Sequence, residues 1–209
     1  MQRTDFDGIL SIAGGTYEHL TIDGICNCSG NLIAQEIEID GILNCDANLE
    51  TGKFDCDGVA NIKGNVRADS IEVDGYMNIG RKATGSKLEA NEIHCRGVIT
   101  CLGSGEISAD LIEAEGYINA TEIVGEKVVI QSQTSILMKW LANRWSKVDT
   151  IEATTIELTN VTAKVVNGHD ITIGEACVID KLDCSGRLSI HPSATIKEIT
   201  GEHTRVNGG

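Results

Sequence analysis

The sequence has few aromatic residues, a single proline and no long apolar run, and each scarcity excludes a class of protein. Aromatic residues make up 3% of the chain although 41% of it is hydrophobic. The core must therefore be built from Ile, Val, Leu, Ala and Cys, which suit the thin layers of a β-solenoid. The lone Pro192 argues against long proline-rich linkers. No run reaches the ~18 apolar residues of a membrane-spanning helix.

Basic residues are also scarce, and the formal net charge is −14. Such a surface repels phosphate backbones, so we expect no nucleic-acid partner. It also disfavours anionic lipid, except through a separate basic patch. The first residues show no apolar core of a signal peptide. We therefore expect a cytoplasmic protein, and peripheral contact with the inner face of the cell membrane stays open.

The strongest positive signal is a glycine that recurs every 17 residues, which is typical of a solenoid. Around each glycine, apolar residues alternate with polar ones, as in strands with one buried face. The glycine itself marks a corner between strands. Each coil is predicted to hold about three short strands. The four glycines are Gly24, Gly41, Gly58 and Gly75.

Later coils keep this pattern, and we divide the chain accordingly. Residues 8–130 are predicted to form the N-terminal coils and residues 149–200 the C-terminal coils, about nine to ten in all. Residues 131–148 interrupt them, and residues 201–209 are expected to be a frayed tail. The coil from Ile171 to Leu182 matches the coil from Leu188 to Ile199 at the same spacing of 17.

Two outward columns of polar residues and the cysteines fit stacked coils. One column is asparagine, which can form an amide ladder, and its members are Asn27, Asn44, Asn61 and Asn78. The second is aspartate, interrupted by Arg96, and its members are Asp23, Asp40, Asp57 and Asp74. The eight cysteines replace aliphatic residues of the repeat, so we expect buried free thiols. They lack zinc-ligand spacing, and we predict no metal and no cofactor.

The interruption predicts a short amphipathic helix over residues 135–147. It carries both tryptophans and has no acidic residue. We consider two interpretations: the helix covers the solenoid, or it binds a membrane surface or a partner protein. Its candidate contact residues are Ile136, Leu137, Lys139, Trp140, Leu141, Arg144, Trp145 and Lys147.

The repeat units resemble those of the bactofilins, a family of bacterial polymer-forming cytoskeletal proteins. The resemblance rests on units such as Glu38-Ile39-Asp40-Gly41 and on following segments such as Gly30-Asn31-Leu32 and Gly64-Asn65-Val66. It implies an all-β, right-handed parallel β-helix of triangular cross-section. It also implies a homopolymer: end-to-end, non-polar filaments that form without nucleotide and support cell shape, polarity or motility, often at the membrane.

A physical argument also favours polymerisation. The end of a solenoid exposes unpaired backbone groups and an apolar layer, and neither end of this sequence shows a capping helix. Another copy of the chain can therefore add its strands at either end. The predicted end-coil interface residues are Ile9, Leu10, Ile12, Leu188, Ile190, Ile196 and Ile199.

Three other functions stay open at this point, although we expect no enzyme. A left-handed β-helix acyltransferase needs a six-residue repeat, which the spacing of 17 does not fit. A polysaccharide-processing β-helix enzyme needs clustered carboxylates on a loop. The third is an adaptor that does not polymerise and docks through the helix carrying Trp140 and Trp145.

Overall fold

A computed structural model describes residues 3–80, 86–132 and 146–206, and these residues form strands, turns and bends without a helix. The first seven strands are β1 (Arg3–Phe6), β2 (Ile9–Ile12), β3 (Gly15–Thr16), β4 (His19–Ile22), β5 (Ile25–Cys28), β6 (Leu32–Ile39) and β7 (Ile42–Cys45). The next seven are β8 (Leu49–Cys56), β9 (Val59–Ile62), β10 (Val66–Val73), β11 (Tyr76–Ile79), β12 (Lys87–Cys95), β13 (Val98–Cys101) and β14 (Glu106–Ala114). The last seven are β15 (Tyr117–Gln131), β16 (Ser146–Thr159), β17 (Val161–Ile173), β18 (Val178–Cys184), β19 (Arg187–Ile190), β20 (Thr195–Thr200) and β21 (Thr204–Arg205).

These strands stack in parallel into three columns, which are the faces of one β-solenoid. In a typical coil, face A is residues 25–28, face B is residues 32–34, and face C is residues 36–39. Each pairs in parallel with the same part of the next coil. On face A, ten successive pairings link eleven rungs. The stack is therefore roughly 48 Å long at ~4.8 Å per rung.

The alternation of the sequence decides which side chains form the core. In β6 the inward residues Leu32, Ala34, Ile37 and Ile39 are buried, whereas the residues between them face outward. The same pattern repeats in every central coil, and Phe54 is the largest fully buried side chain. One thin apolar core thus runs the length of the stack, as the low aromatic content predicts.

The recurring glycine lies at the corner between face C and face A, where the backbones of adjacent coils approach closely. A Cβ on Gly58 would lie 2.0 Å from the carbonyl oxygen of Gly41, and the same distance separates a Cβ on Gly75 from Gly58 O. Glycine is needed here because the backbone of the neighbouring coil occupies the space of a side chain. The recurrence of glycine at this corner is therefore a packing requirement of these coils.

The structure corrects both edges of the predicted interruption over residues 131–148, and the second edge overlaps the end of the helix predicted within it. Gln131 ends β15, and Ser146, Lys147 and Val148 begin β16, so these positions are strand. Lys147 pairs with Asn119 on face A. Residues 146–148 form a strand rather than a helix because β15 and β17 lie on either side of them and supply hydrogen-bond partners. The remaining predicted helix residues, 133–145, lie outside the described residues.

The tail prediction is also wrong in part, since β21 adds a rung beyond the expected end. Thr204 N donates to Gly186 O at 2.8 Å and Val206 N donates to Leu188 O at 2.9 Å. Similarly, β1 precedes the expected first coil and pairs with β4. In the part of the chain that the structure describes, no helix is long and apolar enough to cross a membrane.

Candidate functional site

The N-terminal end of the solenoid is an apolar layer that the stack leaves partly open. Phe6, Leu10 and Ile12 point inward from the first rung, yet each is partly exposed. Tyr17 packs beside them, and burial raises the pKa of its hydroxyl. The residues one rung further in are at most 2% exposed, and they are Ile22, Cys26 and Cys28. One more rung would bury the end layer to the same extent.

The C-terminal end has the same character. Ile190, Ala194, Ile196 and Ile199 point toward the core and pack against it, but each is partly exposed. The equivalent residues one rung further in are at most 1% exposed, and they are Ile173, Cys177, Ile179 and Leu182. In the part of the chain that the structure describes, ten partly buried apolar residues pack against the core, and seven of them belong to the two end layers. Apolar exposure along the core axis is therefore concentrated at the ends.

The backbone at each end is open as well. Within the described ranges, β1, β2 and β3 each pair only with the rung above them, in β4, β5 and β6. At the other end, β20 and β21 each pair only with the rung below, in β18 and β19. Each end therefore presents strand edges that can accept another strand.

Five of the seven predicted end residues lie in these layers, and two do not. Leu10, Ile12, Ile190, Ile196 and Ile199 point inward at the ends. The alternation of β2 instead places Ile9 on the outer surface of face A, where it is 79% exposed. Leu188 is 1% exposed because Arg205 of β21 pairs above it.

The sequence analysis missed Phe6, Tyr17 and Ala194 as members of the end layers. Phe6 pairs with Ile22 and therefore continues an inward column of the repeat by one rung. Thr4 and Phe6 precede Leu20 and Ile22 by 16 residues, and this alternation in the sequence indicates one further rung before the expected first coil. Ala194 follows Cys177 by 17 residues and could have been included on the same ground.

The predicted asparagine column is a hydrogen-bonded ladder along face A. Asn44 Nδ2 donates to Asn27 Oδ1, Asn61 Nδ2 to Asn44 Oδ1, and Asn78 Nδ2 to Asn61 Oδ1, each at 3.0 Å. This confirms the amide ladder, which fixes the register between coils. It also supplies a side-chain pattern that continues up the stack one rung at a time.

The neighbouring acidic column is relieved at one point by Arg96. Its Nε donates to Asp74 Oδ1 and its Nη2 donates to Glu72 Oε1, both at 2.6 Å. Adjacent aspartates on consecutive rungs lie close enough to repel one another. The guanidinium therefore offsets repulsion between coils at the middle of the stack, although exposed pairs of this kind contribute little to stability.

The base of the 133–145 insertion is a buried pair of hydroxyl groups. Ser132 Oγ lies 2.9 Å from Ser146 Oγ, and it donates to Gly116 O at 2.8 Å. Ile118 N donates to Ser146 Oγ at 3.0 Å. The two described residues that flank this segment therefore meet at one corner of the solenoid. The other predicted contact residues of the helix lie outside the described residues, and they are Ile136, Leu137, Lys139, Trp140, Leu141, Arg144 and Trp145.

The cysteines are core residues, as the repeat predicts. All eight are free and buried. Burial raises the pKa of Cys56, Cys95 and Cys101 to about 12, so these thiols stay protonated near neutral pH. In residues 3–80, 86–132 and 146–206, no group of three His, Cys, Asp or Glu side chains is placed to hold a metal ion.

The histidines occupy separate places on the surface. His19 Nδ1 lies 2.8 Å from Glu36 Oε2, and His94 Nδ1 lies 3.4 Å from Glu113 Oε2. His169 contacts Ser185, and His191 contacts Ser193. His203 Nδ1 lies 3.1 Å from Gly201 O. The five imidazoles contact different neighbours, so they do not form one site.

The chain shares partial sequence similarity with a known protein. No protein-family model matches the chain. The chain is similar to a Bacillus subtilis (strain 168) protein described as "Uncharacterized protein YhbE", with 27% identity over 99 residues. That alignment covers 47% of this chain and 42% of the relative, so it spans less than half of either protein. No solved structure matches.

Proposed function

We propose that this chain is a bactofilin-like scaffold protein that assembles end to end into filaments without nucleotide. The supporting observation is the pair of open ends, each with unpaired strand edges and a partly exposed apolar layer. Stacking of a second copy pairs those strands and buries both layers. The resulting contact has the geometry of one more rung of the same core.

Which ends meet decides the polarity of the filament. Contact between like ends is isologous and alternates along the filament, which then has no polarity. Contact between unlike ends gives a polar filament. The resemblance to bactofilins favours like ends, and we adopt that arrangement in the proposal.

Variants at single ends test assembly and polarity together. Leu10→Asp places a charge in the N-terminal layer, and Ile196→Asp does the same in the C-terminal layer. With like-end contacts, each single variant retains one intact contact and forms discrete dimers, whereas the double variant is monomeric. Thr162→Asp, on the outer surface of face A, is the matched control and should still form filaments in negative-stain microscopy.

Other outcomes would contradict parts of this proposal. If each single variant is monomeric and wild type forms filaments, the contacts join unlike ends. If the wild-type chain forms discrete trimers, the acyltransferase interpretation gains support. If wild type and all variants are monomers with unchanged circular dichroism, the ends are not assembly surfaces and the adaptor interpretation is favoured.

A further inference from the structure

The outer surface of face A carries an unbroken apolar column, which we call the outer stripe. Seven successive rungs each contribute one residue at the same position. Ile9 is 79% exposed and Tyr76 is 46% exposed, and the others are partly exposed. A contiguous apolar patch of this kind marks an interaction surface. The members are Ile9, Ile25, Ile42, Val59, Tyr76, Val98 and Tyr117.

The stripe is confined to the part of the solenoid that precedes the insertion. By the register of β15 to β18, the rung after Tyr117 holds Trp145, which lies outside the described residues, and the two rungs after that hold Asn160 and Ala176. Asn160 Nδ2 instead donates to Ser132 O at 2.7 Å. On the other outward columns of the described residues, large apolar side chains do not occur on consecutive rungs. Among the described residues, the stripe therefore ends at Tyr117, beside Ser132 and Ser146, which flank residues 133–145 in the sequence.

Both ends of that segment are attached directly beside the stripe. Ser132 is hydrogen-bonded to Gly116 O, next to Tyr117, and to Ser146 across the base of the segment. A thirteen-residue segment that leaves and returns at one corner can extend about half its length, or ~20 Å at ~3.3 Å per residue. Four rung spacings of ~4.8 Å span that distance. Counted from Tyr117, this reach extends four rungs, as far as Ile42, whereas Ile9 is about six spacings away and lies beyond it.

The chemistry of the segment complements the stripe. Residues 133–145 include Trp140 and Trp145, several aliphatic residues and two cations, Lys139 and Arg144, with no acidic residue. The stripe is bordered by the acidic corner column, in which Asp57 and Glu115 are exposed. A second copy docking stripe to stripe would bring two acidic columns together, which charge repulsion disfavours.

From this placement we propose that the outer stripe of face A is the docking surface for residues 133–145 of the same chain. The apolar side chains of the segment cover Tyr117, Val98 and Tyr76, and its two cations face the acidic column. The stripe lies along the side of the solenoid, so docking of the segment does not require assembly through the ends.

Tryptophan fluorescence tests this docking, because both tryptophans of the chain lie in the segment. In the full-length chain, Tyr76→Glu combined with Val98→Glu should shift the emission to longer wavelength and increase quenching by acrylamide. Ile9→Glu is the matched control, since it lies on the same stripe beyond reach, and it should leave both readouts unchanged. Circular dichroism checks that each variant keeps its strands.

A second measurement covers the case in which the double variant does not fold. Carbodiimide treatment of the wild-type chain, followed by mass spectrometry, should link Lys139 to Asp57 or Glu115 within one chain. Mixing isotopically labelled and unlabelled chains distinguishes linkage within a chain from linkage between chains.

Three results would overturn the proposal. The first is unchanged tryptophan emission in a folded double variant, together with no such cross-link. The second is linkage only between chains, which would assign the segment to a neighbouring copy. The third is a tryptophan emission that is the same in wild type and in the stripe variants and that shifts only when phosphatidylglycerol vesicles are added. This result would show that the segment binds lipid.

Discussion

At the scale of single residues, close approach between coils explains why glycine recurs at the same corner of successive coils. The corner glycines have no room for a Cβ because each lies on the carbonyl group of the corner below. Gly58 and its equivalents Gly41 and Gly75 do not have positive φ, so the requirement is steric contact rather than backbone conformation. Gly8 differs, since its φ is +88° and a Cβ there would meet nothing within 4 Å.

Two glycine substitutions should therefore have different costs. Gly58→Ala forces the backbone of two coils apart and should lower the free energy of unfolding by roughly 2–4 kcal/mol. Gly8→Ala should cost about 1 kcal/mol, because only its left-handed conformation is penalised. Urea denaturation followed by circular dichroism measures both. Equal costs at the two positions would contradict the packing explanation.

The buried thiols should make the free energy of unfolding decrease as the pH rises into the alkaline range. Burial raises the pKa of Cys56 to about 12, whereas an unfolded cysteine titrates near ~8.5. The protonated thiol is therefore favoured in the folded state, and its contribution is complete below ~8.5 and is lost as the pH rises toward 12. Val73 occupies the equivalent position one rung on, so the Cys56→Val variant should fold. Between pH 8 and 11, which lies within the window that the two pKa values define, its free energy of unfolding should fall less than that of wild type. Urea midpoints across that range, compared with wild type, test this; parallel curves would contradict it.

At the scale of structural elements, the amide ladder fixes the register of consecutive coils. Asn61 forms two ladder bonds, to Asn44 and Asn78, whereas Asn27 at the ladder's end forms one, to Asn44. A net hydrogen bond contributes about 0.5–1.5 kcal/mol. The contribution of the ladder should therefore scale with the number of bonds that a substitution removes.

Replacing ladder residues tests this scaling. Asn61→Ala should lower the free energy of unfolding by about 1–2 kcal/mol, and Asn27→Ala by about half as much. Thermal and urea unfolding give both values. A cost at Asn27 equal to or above that at Asn61 would mean that the ladder does not act through its amide bonds.

The sequence predicts the elements where period and alternation act together. Cys26 and Leu43 are assigned inward and Asn27 and Asn44 outward by repeat position alone, and the pairing of β5 with β7 confirms it. Prediction fails at Ser146 and Lys147, whose local pattern resembles a helix, because flanking strands from distant residues supply the hydrogen bonds. It also fails at β21, whose two residues are too few to show a repeat, and at β1, where only the alternation of Thr4 with Phe6 indicates a further rung.

At the scale of the whole molecule, the two open ends carry the proposed function. They could be located from the sequence, but the structure changes their membership: it places Ile9 on the outer surface, in the column of Ile25, and buries Leu188 beneath β21. A net charge of −14 opposes close approach of copies. Salt should therefore promote assembly by screening this repulsion.

Sedimentation velocity of the purified chain, without nucleotide and over a wide range of protein and salt concentrations, tests the central claim most directly. We predict species whose size grows continuously with protein concentration and grows further as salt is added. A single small species with the same sedimentation coefficient under all these conditions would show that the ends do not join copies of the chain, and would contradict the account.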